Sequence, residues 1–158
     1  MRYRLRQGDK GRLIHACIET GGGRPALGLR ADTPGTVAMS IRDGAEPCSL
    51  ALTGGTVGHH VNGGFVEIDP HRMPGLYQLG VPDDVIAAGA SAATLVLRFP
   101  NAAPCRIELD LVSFDPYDGE GLALAGFMKS TRNEHLTSVF AKVMEPSITS
   151  LLETPGES

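Results

Sequence analysis

The run Cys105-Arg106-Ile107-Glu108-Leu109-Asp110-Leu111 alternates apolar and charged residues without a break, a period of two that fits an extended strand with one dry and one wet face. A helix would scatter those charges around its whole circumference. The period recurs along the chain. Thr94 to Phe99 sets Leu95, Leu97 and Phe99 on one side, and Val37, Met39 and Ile41 alternate with Ala38, Ser40 and Arg42. After the turn signal Asp43-Gly44 the pattern resumes at Cys48, Leu50 and Leu52, which predicts a hairpin. At the start, Arg2, Arg4 and Arg6 alternate with Tyr3 and Leu5, so that a strand would carry three guanidinium groups on one face.

The breaks between these runs are rich in Gly and Pro. Twenty Gly and eleven Pro among 158 residues favour many short elements joined by tight turns over a few long helices. Gln7 to Gly11 is such a turn, and Leu13-Ile14-His15-Ala16-Cys17-Ile18 reads as a strand buried on both sides, with His15 a hydrogen-bonded core residue. Together with Arg2 to Arg6 it predicts an opening hairpin. Phe65 to Asp69 and Leu76 to Val81 are two further strands around a Pro70 to Pro74 turn, with each Pro at a strand boundary. Asp83 or Asp84 is placed to cap a short helical turn over Val85 to Ala88 that Gly89 closes. About eight short strands and one minor helix predict a mainly β chain, an antiparallel β-sandwich rather than a βαβ fold.

The pattern changes after Pro116. Thr131-x-x-Glu134 has the form of a capping box, and Leu136, Val139, Phe140 and Val143 then lie at helical spacing, with Ile148 and Leu151 continuing the apolar stripe beyond Pro146. The expected organisation is a β-sandwich domain over 1–118, a linker over 119–130 and an amphipathic C-terminal α-helix over 131–153. That helix either folds back on its own sandwich or serves oligomerisation or docking.

Length and composition narrow the function classes. A 158-residue chain with 42% hydrophobic and 20% charged residues supports one globular core, which excludes wholesale disorder. No stretch reaches the roughly 20 apolar residues that span a bilayer. The Met1-Arg2-Tyr3-Arg4-Leu5-Arg6 opening lacks the apolar segment of a secretory signal, so the product is expected to stay in the compartment that makes it. Cys17, Cys48 and Cys105 form no Cys-x-x-Cys pair; each lies in an apolar run and is expected to be a reduced core residue, one buried disulfide being the alternative.

The net charge of −4 is unevenly placed. Residues 1–42 hold eight Lys/Arg against three Asp/Glu, whereas 43–158 hold six against fifteen. Such polarity suits packing between copies, or docking on an unlike partner, better than nucleic-acid binding. No Trp and 5% aromatics leave base stacking poorly supplied.

Motifs for chemistry are missing. The sequence has no phosphate-binding Gly-x-x-x-x-Gly-Lys-Ser/Thr, no His-Glu-x-x-His and no Gly-x-Ser-x-Gly, its nearest approach being Gly89-Ala90-Ser91-Ala92-Ala93. No catalytic, cofactor-binding or metal residue is therefore assigned. Two weaker constellations remain: a surface metal site from His60, Asp69 and His71, and a convergence of Glu67, Asp69, Asp83 and Asp84 suited to calcium or paired-carboxylate chemistry. Arg2, Arg4 and Arg6 are a candidate contact strip for carboxylates of a neighbouring subunit, or equally a charged edge that resists aggregation.

The run Gly63-Gly64-Phe65-Val66-Glu67-Ile68-Asp69, followed by Met73-Pro74-Gly75-Leu76-Tyr77-Gln78-Leu79, Val81-Pro82-Asp83 and Ala87-Ala88-Gly89-Ala90, resembles a domain widespread in tailed bacteriophages and prophages. The likeness continues through Leu95-Val96-Leu97, Asn101-Ala102-Ala103-Pro104 and Ile107-Glu108-Leu109 to Asp115-Pro116-Tyr117-Asp118. Upstream, Arg6-Gln7-Gly8-Asp9-Lys10-Gly11 is similar to the opening of N-terminal domains of phage upper baseplate proteins. The resemblance covers roughly residues 1–118. It departs at Asp69-Pro70-His71-Arg72-Met73, where the family usually reads Asp-Ala-Thr-Asn-Met, and at Ser158, where many relatives run on into a fibre.

What the resemblance implies is an immunoglobulin-like β-sandwich at the attachment end of a tail, baseplate or head-fibre protein. The expected function is that of a non-enzymatic virion structural protein, an adaptor made in the host cytoplasm and incorporated into the particle. Its expected partners are other virion proteins and further copies of itself, as a trimer or hexamer, with neither nucleic acid nor membrane among them and no cofactor. The interaction residues expected are Arg2, Arg4, Arg6, Leu136, Val139, Phe140, Val143, Ile148 and Leu151. A lectin-like module for host-surface carbohydrate is the alternative.

Overall fold

Nine strands follow one another: β1 (Arg2–Arg6), β2 (Leu13–Cys17), β3 (Val37–Arg42), β4 (Cys48–Ser49), β5 (Thr53–Gly54), β6 (Gly64–Asp69), β7 (Met73–Gly80), β8 (Ala92–Arg98) and β9 (Cys105–Val112). They come from a computed structural model that describes residues 1–113. The expected linker over 119–130 and helix over 131–153 lie outside the described residues. Met1–Phe114 forms one unit, mainly β, and no helix occurs among the described residues.

The strands make two sheets, one of five in the order β1-β9-β8-β3-β4 and one of four in the order β2-β7-β6-β5. Both contribute to one core. Leu95, Leu97, Ile107, Leu109 and Leu111 come from the first sheet, and Ile14, Ala16, Phe65, Tyr77 and Leu79 from the second. β2, β8 and β9 feed this core through alternate residues, as the period of two requires. The β9 register settles its face: Cys105, Ile107, Leu109 and Leu111 are buried, and Arg106, Glu108 and Asp110 point the other way. At the centre, Phe65 stacks on Tyr77 with ring centroids 4.8 Å apart and on Phe99 at 5.0 Å. Such contacts add about 0.5–1.5 kcal/mol each beyond burial.

Several expectations need correction. The opening hairpin does not exist, because β1 and β2 belong to different sheets: β1 runs parallel to β9, with Arg2 beside Glu108 and Arg6 beside Val112, while β2 pairs antiparallel with β7. The turn from Gln7 to Arg12 carries the chain between sheets, with the Gln7 amide still on the Val112 carbonyl at 2.8 Å. A tight turn and two alternating runs identify strands, but a turn that changes sheet leaves them unpaired. The fold is also not wholly antiparallel, since β5 runs parallel to β6. The second expected hairpin is present as β3 and β4, paired at Met39–Ser49 and Ser40–Cys48.

The β2 strand is buried on one side only. Ile14, Ala16 and Ile18 enter the core while His15 and Cys17 are exposed, so His15 is not a core residue. A strand at the edge of a two-sheet body has one wet face even when its sequence is apolar throughout. Cys48 is exposed too, and all three cysteines are free, leaving Cys105 as the thiol in the core. On β3 the small Ala38 is buried, opposite Leu97 on β8, and the larger Val37 and Ile41 face outward. Pro74 lies inside β7 rather than at its boundary, ahead of the Leu76–Gly80 stretch that β2 pairs with.

The helical turn expected over Val85 to Ala88 is instead a pair of successive turns. The Val85 amide bonds the Pro82 carbonyl at 3.0 Å, and the Ala87 amide reaches the Asp84 carbonyl at 3.4 Å. Four residues are too few to nucleate a helix when two consecutive ones, Val85 and Ile86, are both drawn into the core. Arg42, at the inner end of β3, holds the segment by donating from Nη2 to the carbonyls of Ala87 at 2.6 Å and Ala88 at 2.9 Å.

Candidate functional site

The outer face of the five-stranded sheet carries the arginine strip. Because Tyr3 and Leu5 lie beside the buried Leu109 and Leu111, Arg2, Arg4 and Arg6 share the opposite face with Glu108, Asp110 and Val112. The strip meets carboxylates of its own chain. Arg2 donates from Nε at 3.1 Å and from Nη2 at 3.0 Å to Asp110 Oδ1, and Arg106 lies 3.3 Å from Glu108. Exposed pairs of this kind contribute about 0–1 kcal/mol each. Further along the same face, Val37 is 44% and Ile41 41% exposed, with Met39 between them beside Val96 of β8. A charged half and an apolar half therefore adjoin on one sheet surface.

The weaker constellations come apart. Asp69 pairs with Met73 at one end of β6, whereas Asp83 and Asp84 follow Gly80 at the other end of β7, roughly 20 Å or more away at 3.3 Å per residue. Each acid already has local work. Asp69 Oδ1 accepts from the amides of His71 and Arg72, both at 2.9 Å, and these two bonds hold its carboxyl below the ordinary range. Asp83 accepts from the Gly11 amide at 3.2 Å, and Asp84 from the Val85 amide at 3.0 Å. His60 Nε2 lies 3.0 Å from the Val81 carbonyl, at the far end from Asp69 and His71. Among the described residues no group of three His, Cys, Asp or Glu is placed to hold a metal.

A second feature went unread in the sequence. A hollow of about 670 Å³ opens beside β5, with Gly28, Arg30 and Asp32 on one wall, Gly54 on the other and Phe65 and Glu67 between. Two side chains of the second sheet fix the first wall. Tyr77 donates its hydroxyl to the Ala26 carbonyl at 2.8 Å and accepts from the Leu29 amide at 3.1 Å, and Glu67 Oε2 accepts from the Gly28 amide at 2.9 Å. Burial pushes the Tyr77 hydroxyl above its ordinary range, partly offset by the Leu29 amide, with the Glu67 carboxylate adding to the rise. Glu67 Oε1 is buried without a hydrogen-bond partner, and the Arg30–Asp32 pair at 3.1 Å closes the rim. Nothing in the local sequence marks this hollow, because its walls come from segments some 25 residues apart.

Gln78 was also missed. It is 3% exposed, and its amide pins the turn between β5 and β6, donating to the carbonyls of Thr56 at 3.1 Å and His59 at 3.3 Å and accepting from the Gly58 amide at 2.8 Å. Of the residues predicted to make contacts, Leu136, Val139, Phe140, Val143, Ile148 and Leu151 lie outside the described residues. Among the described residues no helix is long and apolar enough to cross a membrane.

Fold and surface define a mainly β, two-sheet protein with a mixed charged and apolar sheet face and an open hollow beside β5. Comparison with family models, curated proteins and solved structures finds no match to the chain.

Proposed function

We propose that the chain is a non-enzymatic structural protein of a tailed-bacteriophage particle, an adaptor of tail, baseplate or fibre whose work is to hold other virion proteins together. The observation that carries the reading is the outer face of the five-stranded sheet. Arg2, Arg4 and Arg6 stand beside Glu108 and Asp110, next to the exposed Val37 and Ile41, and a surface that mixes both charge signs with uncovered aliphatic side chains suits protein docking. The residues that resemble the phage domain fall largely on β6, β7, β8 and β9, which supply about half of the buried core.

On this reading the body is an immunoglobulin-like β-sandwich. The strand order supports it: β2-β7-β6 corresponds to the B-E-D sheet of that architecture and β3-β8-β9 to C-F-G. The chain departs from antibody domains in having no Trp and, among Cys17, Cys48 and Cys105, no disulfide. Residues 131–153 are the proposed helical element for association with sister copies, as a trimer or hexamer.

Mass spectrometry of tailed particles purified from cells that encode the chain tests the proposal. The expected result is a fixed copy number per particle. Recovery only in the soluble fraction overturns it. The second reading, a carbohydrate-binding module, draws on the hollow beside β5; glycan-array binding that Glu67→Gln abolishes would favour it. Its calcium-assisted form loses support from the separation of Asp69 from Asp83.

A further inference from the structure

We propose that the free edge of β5 is a docking site for an extended polypeptide strand, and that the hollow beside it receives a lysine or arginine side chain of that strand. The inference goes beyond the virion reading and does not rest on it. It begins with the ladder between β5 and β6. The Thr53 amide donates to the Gly63 carbonyl at 2.9 Å and the Gly55 amide to the Phe65 carbonyl at 3.1 Å, so these two residues face β6. In an extended chain the residue between them must point its amide and carbonyl the other way. Gly54 therefore presents both groups to the open side, and neither takes a hydrogen bond among the described residues. Gly54 itself is exposed, and a β-carbon built on it meets nothing within 4 Å, so the face of the strand above it is open as well.

The edges on the opposite flank are blocked. β1 carries Arg2, Arg4 and Arg6, charges that discourage pairing, and the outer edge of β2 is occupied at His15 by the Tyr3 hydroxyl. At β5 the wall formed by Gly28 to Asp32 stands off across the hollow instead of closing on the strand. An amide donor and a carbonyl acceptor on one edge residue match what an added strand supplies in β-augmentation.

Charge selects the side chain. Asp32 is matched by Arg30, so the Glu67 carboxylate, held through Oε2 by the Gly28 amide, leaves the hollow's lining with a net negative charge. An ammonium or guanidinium group reaching into the hollow from a docked strand complements that charge.

The test is an amide NMR titration of the full chain with the acetylated, amidated peptide Thr-Val-Thr-Lys-Thr-Val-Thr at up to millimolar concentration. The expected result is a shift centred on the amides of Leu52, Gly54 and Gly55, with slower hydrogen exchange at Gly54. The peptide with Glu in place of Lys should bind about fivefold or more weakly. A peptide N-methylated at alternate amides should not bind, and Gly54→Pro, which removes the outward amide but none that pairs with β6, should abolish the shift. If the proline variant fails to fold, the N-methylated peptide and Glu67→Gln still decide the matter. No shift at β5, a shift elsewhere, equal binding by the N-methylated or Glu peptide, or a response at Gly54 to oligosaccharides in place of peptide would each overturn the proposal.

Discussion

The Tyr3 hydroxyl donates to the His15 carbonyl at 2.6 Å and accepts from the His15 amide at 3.2 Å, so a side chain from one sheet completes the backbone edge of the other. Tyr3 stands on β1 beside Leu109, and its ring packs against the common core. One phenol thus does for β2 what a neighbouring strand would otherwise do. Tyr3→Phe keeps the ring and removes both bonds, and is expected to destabilise the protein by about 1–3 kcal/mol in urea unfolding. Hydrogen exchange at the His15 amide should quicken in the same variant. An unchanged midpoint and unchanged exchange would show that water replaces the hydroxyl at no cost.

Two glycines separate close packing from backbone conformation. Gly80 lies under the Val61 carbonyl, and a β-carbon there would sit 2.0 Å from that oxygen. Gly44 has a φ of +75° but nothing within 4 Å. Gly80→Ala is expected to cost about 3 kcal/mol or more, since backbone must move, and Gly44→Ala about 1–2 kcal/mol from the left-handed conformation alone. Equal losses in thermal unfolding would contradict this assignment of causes.

Thiol labelling should sort the cysteines. Cys17 and Cys48 are exposed, whereas Cys105 is 7% exposed and burial pushes its thiol up, opposed by the terminal amino group and reinforced by Cys17. Native protein is expected to react at Cys17 and Cys48 and to release Cys105 only on unfolding. A raised folded value favours the protonated thiol, so the contribution of Cys105 to stability is complete below the ordinary thiol pKa of about 8.5. It is lost as pH climbs through the higher folded value. Cys105→Ala should flatten that alkaline limb.

Deletion of residues 130–158 is expected to leave a folded monomer, because the strands of Met1–Phe114 share one core of their own. Light scattering on the full and shortened chains checks this. An oligomer that survives the deletion would move the assembly contact onto the sheets, with the Val37 and Ile41 face as the first region to mutate.

Much of the fold was legible residue by residue. The alternation over Cys105 to Leu111 predicted both the strand β9 and its buried face, and the same holds for Leu95, Leu97 and Phe99. The Asp43-Gly44 turn predicted the β3–β4 pairing. Where two faces compete in size rather than polarity the alternation fails: Val37 and Ile41 outrank Ala38 in hydrophobicity, yet Ala38 is the one buried. The candidate site was less legible. The arginine strip could be read from five residues, but the hollow beside β5 has walls that only folding brings together.

The sequence by itself determined which segments are strands and, at the polar-alternating ones, which side of each is dry, because the side-chain period is a local property of the backbone. Partnership was decided by the tertiary structure. Whether β1 turned back onto β2 or crossed to lie parallel with β9 depended on where the core left an unpaired edge. That same choice set Tyr3 beside His15 and brought Asp110 within reach of Arg2. Edge groups obtain their partners from whatever the completed core places beside them, and no run of neighbouring residues encodes that.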